Sequence, residues 1–453
     1  MPCAMPPARH ADSTIKTRQK PTKMNHRQQQ AGTTPVEIHR SHVGESDGGV
    51  TWFCCVDNGI RLFEKQYPLA DGMSYDSYII EDEKLVVVDT VDHSVESAWL
   101  EALAGFLESR GSRQPDFLIV QHLEPDHAGA IEAFMAAYHS CRIVCSAKAA
   151  GMLPQFARGV DASRVMAVKE GDTLPIGSRE LHFAMAPMVH WPEVMVTYDP
   201  KTRILFSADA FGTFGGSLAA AVASGEQACT AFAKDWPDEA RRYYINICGK
   251  YGAQVQALLK KAAGLDIRYL CPLHGPVIDL SEYNPVDLYD KWSRYAVEFP
   301  GRCLVVAASL HGNTVEAARE LASMLEASGV EALVFDLAES DMSEVVSQAF
   351  ACGAVVFMSA TYDGSLVPSM STFISRLKSK NWQKRLAAIV ENGSWAPIAG
   401  RLLEKELADM KDVKIVGSIV RINTRLDDTS SEGLRVLASD MTAAINATQE
   451  AEA

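Results

Sequence analysis

The sequence predicts two consecutive α/β domains, and three observations carry the prediction. At 453 residues the chain has the length at which two domains of about 150–250 residues are expected. Its second half alternates apolar, strand-like runs with amphipathic helical stretches, the pattern of an open parallel sheet. Its first half places side chains that ligate metals at the ends of apolar runs, and so at the rim of a sheet. Hydrophobic residues make up 47% of the chain, enough for two cores. No apolar run approaches the roughly 20 residues of a membrane span, so no membrane association is expected. A formal net charge of -14 disfavours nucleic acid as a partner and suits a cytoplasmic surface.

Residues 1–36 are expected to be a disordered basic extension. They hold Arg9, Lys16, Arg18, Lys20, Lys23 and Arg27 against Asp12, without apolar periodicity. An apolar stretch of the secretory kind is missing, which leaves an organellar targeting peptide or an overlong start with Met24 as initiator. The first domain is expected over 37–298 and the second over 302–448. The join falls in Trp292–Arg302, where Phe299-Pro300-Gly301 is read as breaking a helical stretch. No internal repeat is visible.

In the first domain the densest signal is His122-Leu-Glu124-Pro-Asp126-His127, directly after the apolar run Phe117-Leu-Ile-Val120. A strand of that kind ends at a sheet edge, and the following turn can aim several side chains at one point. Imidazole and carboxylate together suit iron, zinc or manganese. Metallo-β-lactamase hydrolases carry His-x-His-x-Asp-His here and usually hold zinc. Glu124 in place of the second His makes a harder, more anionic site and favours iron. Further candidates follow later apolar segments: His190 before Trp191-Pro192-Glu193, Asp209 in Ser207-Ala-Asp209-Ala-Phe-Gly212, and His274 before Gly275-Pro276.

In the second domain, Cys303-Leu-Val-Val-Ala-Ala308 reads as a parallel strand apolar on both faces. The loop Ser309-Leu-His311-Gly312-Asn313-Thr314 and an amphipathic helix from about Val315 to Ala327 come next. Hydroxyls and backbone N–H groups at a helix N-terminus make an anion site. This loop has neither the lysine of a nucleotide P-loop nor the spacing of a dinucleotide glycine motif. Ala354–Ser359 is a further strand leading to Thr361-Tyr362-Asp363-Gly364, and Leu386–Val390 leads to Asn392-Gly393-Ser394-Trp395. Ligands of open α/β sheets bind where such loops converge, beyond the carboxyl ends of the strands. Tyr362 and Trp395 either stack on a flat ring there or serve packing. Ala332–Phe335 and Val413–Gly417 bring the strands to five, and a helix near Ser430–Ala447 closes the alternation.

The order of these motifs resembles the flavodiiron proteins, over roughly Gly49 to Thr448. The resemblance implies an N-terminal metallo-β-lactamase-like αββα sandwich followed by a flavodoxin-like doubly wound parallel sheet. It implies two iron ions, one held by His122, Glu124 and His190, the other by Asp126, His127 and His274, with Asp209 bridging. FMN would sit on Ser309, His311, Gly312, Asn313 and Thr314, on Thr361, Tyr362, Asp363 and Gly364, and on Asn392, Gly393, Ser394 and Trp395. The implied activity is reduction of O2 to water, of NO to N2O, or both, with electrons passing through FMN. The ten cysteines form no C-x-x-C pair, which argues against a fused rubredoxin domain. A separate donor protein such as a rubredoxin, or a reductase, is therefore expected. A head-to-tail homodimer is also implied, the FMN of one chain facing the iron of the other.

Two other readings use the same residues. One is a zinc hydrolase with a regulatory flavodoxin-like domain, against which Glu124 and the three loops speak. The second is an electron carrier with a defunct metal domain, which predicts missing ligands.

Overall fold

The computed structural model describes residues 36–44, 48–225 and 229–452. The expected basic extension lies outside them, except that Val36 begins the first strand.

The N-terminal half holds two sheets. The first runs in the order Val36–His42, Val50–Asp57, Met73–Glu81, Leu85–Val88, Phe117–Val120, Arg142–Ser146, Val165–Val168. Its pairing is antiparallel up to Leu85–Val88 and parallel beyond it. The second has six strands, from Thr173–Pro175 to Ile278–Asp279.

Period-two alternation explains why these strands are apolar throughout. Along Val50–Asp57, Val50, Trp52, Cys54 and Val56 face the second sheet, where they meet Leu181, Phe183, Met195 and Phe206. Phe53 and Cys55 face the other way. On that side the helix Glu96–Ser109 buries Trp99, Leu103, Phe106 and Leu107, one stripe at helical spacing. Val86 and Val88 against Leu85 and Val87 divide the same way. Each central strand is covered by a sheet on one face and a helix on the other, which is the αββα sandwich.

The C-terminal half is one parallel sheet in the order Glu331–Asp336, Phe299–Ala308, Cys352–Tyr362, Arg385–Asn392, Val413–Ile415. That order is the flavodoxin-like one. Cys303, Val305 and Ala307 face the helices Asn313–Ala327 and Asp428–Glu452. Leu304, Val306 and Ala308 face the opposite side, where Met342–Ala351, Pro368–Ser379 and Ala399–Ala408 pack.

The expected break at Phe299-Pro300-Gly301 is corrected. The helix before it ends at Ser293, and all three residues belong to the strand Phe299–Ala308. The register shifts between Phe299 and Cys303, so a bulge absorbs the proline, whose missing N–H would otherwise interrupt the ladder. Gly353 permits the approach: a Cβ there would lie 2.6 Å from the Pro300 carbonyl oxygen.

One apolar cluster runs from the sandwich into the near face of the parallel sheet. The polar seam beside it is set by the helix Cys229–Ile247. Arg241, 1% exposed, bonds Glu298 at 2.9 Å and Asp238 at 2.8 Å. Arg242 donates to the Pro68 carbonyl and the Ser343 hydroxyl, and Asn246 to the Ser343 carbonyl. Replacing one member of a buried ion pair strands the other, at a cost of about 3–5 kcal/mol. Arg241→Ala is therefore expected to lower unfolding stability by about that amount, read from the denaturant midpoint. A change under about 1 kcal/mol would place the hold between the domains in apolar packing alone.

Candidate metal centre

The turn after Phe117–Val120 is pinned from both sides. Gln121 donates its backbone and side-chain N–H groups to Asp89, at 2.8 and 3.0 Å. The Leu123 N–H donates to Glu193 at 3.0 Å. His122 and Glu124 are thereby aimed inward, and Asp126 and His127 follow on the short helix Pro125–Ala128. His190 arrives from the loop after Glu180–Met185, Asp209 from the turn after Ile204–Phe206, and His274 from the turn after Tyr269–Cys271. Gly275 makes the last turn possible. Its φ is +84°, and a Cβ would lie 2.4 Å from the Thr213 hydroxyl.

The seven residues meet in two groups: His122, Glu124, His190 and Asp209, and Asp126, His127 and His274. His190 Nε2 lies 2.9 Å from Glu124 Oε2 and 3.1 Å from Asp209 Oδ2. His122 Nε2 is 3.3 Å from the same Glu124 oxygen and 3.4 Å from the same Asp209 oxygen. Asp209 turns its other oxygen, Oδ1, to His127 Nε2 at 3.1 Å. His274 Nε2 is 3.0 Å from Asp126 Oδ2. One carboxylate thus presents an oxygen to each group.

The donor set fits metal ions. Spacings of 2.9–3.4 Å are those of neighbouring ligands around an ion bound at about 2.1 Å. His127 Nε2 and Asp209 Oδ1 are close, yet neither has a hydrogen-bond partner, and the buried Asp126 Oδ1 also has none. Buried polar atoms left in this state are costly, and bound ions would satisfy them.

Ring orientation is set from behind. His122 Nδ1 donates to Glu193 at 2.8 Å, both side chains fully buried. His274 Nδ1 donates to the Ser74 carbonyl at 2.7 Å. Each leaves Nε2 free to ligate. Burial disfavours a charged imidazole, but the carboxylates outweigh it. Hydrogen bonds donated by its ring to Asp209 and Glu124 raise His190 to about 9, and a bond to Asp126 raises His274 to about 9. His122 is raised well above its ordinary value by Asp209, Glu124 and Glu193. Burial also opposes the charge of Glu193, yet its bond to His122 holds its carboxyl below the usual range.

Two residues near the centre carry no sequence signal of their own role. Glu193 follows His190-Trp191-Pro192, but its reach to His122 is tertiary. Glu64 sits in the turn between Leu62–Phe63 and Tyr67–Pro68, and its carboxyl meets that of Glu124. Burial of the carboxyl and the Glu124 charge raise it to about 8.

In the second half, the three candidate loops converge at the carboxyl edge of the parallel sheet. The Ser309 hydroxyl accepts from the Gly312 and Thr314 N–H groups at 3.0 and 3.3 Å. Gly312, at φ +89°, opens the helix Asn313–Ala327. Asn392 donates to the Thr314 hydroxyl at 3.2 Å and so ties the first loop to the third. The Thr361 hydroxyl accepts from the Ile398 and Ala399 N–H groups, joining the second to the third. Thr424, unassigned from sequence, extends the rim: its N–H donates to Asn392 Oδ1 and its hydroxyl lies 2.6 Å from that of Ser394. His311, Asp363 and Gly364 are exposed at the loop tips. Tyr362 is 43% exposed and Trp395 82%, which leaves two aromatic faces open beside a helix N-terminus. Gly393 precedes Trp395 in the third loop, where a Cβ would be 3.0 Å from the Pro397 ring. The arrangement suits a flat, singly phosphorylated ligand.

Residues 73–275 match the family model described as ODP family beta lactamase, and residues 302–410 match that of NADPH-dependent FMN reductase. The chain is 28% identical over 368 residues to a nitric oxide reductase of Moorella thermoacetica, covering 80% of this chain and 89% of that one. It is 26% identical over 395 residues to an anaerobic nitric oxide reductase flavorubredoxin of Escherichia coli, covering 84% and 75%. A flavodiiron protein from Giardia intestinalis superposes with a TM-score of 0.82 at 25% identity, covering 92% of this chain and 99% of that one. The fold is shared with a rubredoxin oxygen:oxidoreductase from Desulfovibrio gigas, with a TM-score of 0.80 at 24% identity, covering 89% and 98%. With both halves matched in order, and a two-part candidate ligand set in the first, the chain joins a metallo-β-lactamase-like domain to an FMN-reductase-like one, is similar to flavodiiron proteins over both, and is an oxidoreductase.

Proposed function

We propose that this protein reduces O2 to water or NO to N2O at a di-iron centre, with electrons delivered through FMN from a separate donor. His122, Glu124 and His190 would hold one iron and Asp126, His127 and His274 the other, with Asp209 between them. The observation that carries the reading is the division of Asp209, one oxygen toward each group. When bound, two irons would supply Lewis acidity and electrons for reduction of a diatomic substrate.

The chain's own residues account for the rest. Glu124, Asp126, Asp209 and Glu193 bring four carboxyl groups to the centre, which balance two divalent ions. Glu193 holds His122, and Ser74 holds His274, with Nε2 inward. Burial of His122, His127, Asp209 and His274 keeps water from the inner side of the centre. On the second domain, the Ser309–Thr314 loop would cradle the FMN phosphate, and Tyr362 and Trp395 would flank its ring. The hydrolase reading is not favoured, because Glu124 hardens the site and hydrolysis needs no flavin. Among the described residues no helix is long and apolar enough to cross a membrane, which accords with a place in the cytoplasm.

His127→Ala is expected to lose iron and all reductase activity while FMN remains bound, since the two sites lie on separate sheets. Full activity in this variant would overturn the ligand assignment. Glu193→Gln, which removes the charge behind His122, is expected to weaken iron binding by about 10–100-fold. Competition with a chelator reads that change, and unaltered affinity would make Glu193 a packing residue. For the head-to-tail dimer, a variant with Asn313 and Thr314 replaced by bulky apolar residues, which cannot seat FMN, is mixed with His127→Ala. Activity should partly return, because one cross-chain pair is intact. A mixture that stays inactive after demonstrated subunit exchange would place electron transfer within one chain.

A further inference from the structure

The turn that carries Asp209 is held in a conformation its sequence does not favour. Ala208, just before Asp209, has φ +50°, and Phe211, two residues after it, has φ +70°. Left-handed backbone is uncommon for any residue with a Cβ, and a genuine outlier for one as bulky as phenylalanine. Residues persist there only where the surrounding structure over-determines them. Neither position is a glycine, so contacts around the turn must supply the hold.

Most of its polar groups are satisfied locally. The Ser207 hydroxyl donates to the Ala210 carbonyl at 2.7 Å. The Ala210 N–H donates to the Ser207 carbonyl and the Gly212 N–H to the Asp209 carbonyl, both at 3.1 Å. The Ala208 carbonyl accepts from the Leu273 N–H at 2.9 Å, beside His274. The Phe211 N–H donates outside the turn, to the Tyr289 hydroxyl at 2.6 Å. Tyr289 stands on the helix Val286–Ser293 and is 1% exposed. Its ring lies against that of Phe211, with centroids 4.3 Å apart, and is backed by Tyr244 and Trp292 at 5.0 and 5.5 Å. One immobile side chain thus meets Phe211 twice, at its amide and at its ring.

We propose that Tyr289 is a positioning residue for the metal centre, holding the Ser207–Gly212 turn so that Asp209 gives one oxygen to each ligand group. The proposal rests on the metal-centre reading above and adds a residue outside the seven ligands. Asp209 Oδ2 lies 3.1 Å from His190 Nε2, and Oδ1 lies 3.1 Å from His127 Nε2. A carboxylate that serves two groups tolerates less displacement than one that serves a single ion, since a tilt toward either group withdraws it from the other. One methylene separates this carboxyl from the backbone, so a shift of the turn passes to both oxygens. Without the Tyr289 hydroxyl, the buried Phe211 N–H loses its partner. Phe211 can then relax toward the right-handed region and carry Asp209 with it.

The test compares full-length, FMN-loaded parent protein with Tyr289→Phe, which removes a single oxygen atom and keeps the ring on Phe211. Ferrous affinity is read by competition with a chelator in the absence of oxygen. Magnetic coupling between the two bound irons is read by Mössbauer spectroscopy in an applied field. Tyr289→Phe is expected to bind iron about 10–100-fold more weakly. At saturation with two irons it should also show altered coupling, because the coupling runs through the carboxylate they share. Tyr244→Phe takes a hydroxyl from the same buried aromatic cluster and is expected to match the parent in both measurements. Parent-like affinity or parent-like coupling in Tyr289→Phe overturns the role of Tyr289 and leaves the metal centre standing. An equal change in Tyr244→Phe does the same, since the effect would then be one of core packing. A parent that itself fails to bind two irons overturns the metal-centre reading, and the role of Tyr289 with it.

Discussion

The constraint on which the N-terminal half depends is the burial of one carboxylate, Asp209, among three imidazoles. It is 1% exposed, and burial alone would push its carboxyl strongly toward the neutral form. His127 and His122 overcome that and hold it well below the ordinary range. Such an arrangement is stable only if each imidazole is itself oriented, and the surrounding structure is largely devoted to that. Glu193 fixes His122 from behind, and Ser74 does the same for His274 beside Asp126. Trp191 packs edge-on against His122 at 5.3 Å, and Phe63, Tyr75 and Tyr243 pack around His274.

The sandwich suits this task because it brings these side chains from both sheets to one rim. His122 to His127 follow a strand of the first sheet, and Asp209 and His274 follow two parallel-paired strands of the second. Strands buried on both faces leave little freedom to shift, since a slip of one residue would turn the helix-facing side chains toward the opposite sheet. Rigidity of the strand ends becomes precision at the centre. The same logic operates at the parallel sheet of the second half, where three neighbouring strands end in loops cross-tied by Asn392 and Thr361.

Much of this was legible in the chain. The strand Phe117–Val120 appears with the bounds its apolar run suggested. The helix expected from about Val315 begins at Asn313, because Gly312 in the left-handed region lets it start directly after the loop. The terminal helix, read near Ser430–Ala447, runs Asp428–Glu452. Pro300 misled the reading of the join, because a proline at a bulge and a proline at a helix end look alike in one dimension. Asn392 and Thr361 also tie the loops together, which no local pattern reveals.

What the sequence determined by itself was the order of the candidate metal-ligating residues and the two sheet types. Both are local properties: a side chain at a strand end, and an alternation along a strand. Only the tertiary structure decided which oxygen of Asp209 meets which histidine, which ring nitrogen is left free, and that Glu193 and Glu64 stand beside the centre. Those contacts join residues separated by up to 200 positions, as His274 to Ser74. Their geometry follows from how two sheets stack and how a hairpin turns, and neither is encoded in the spacing of residues along the chain.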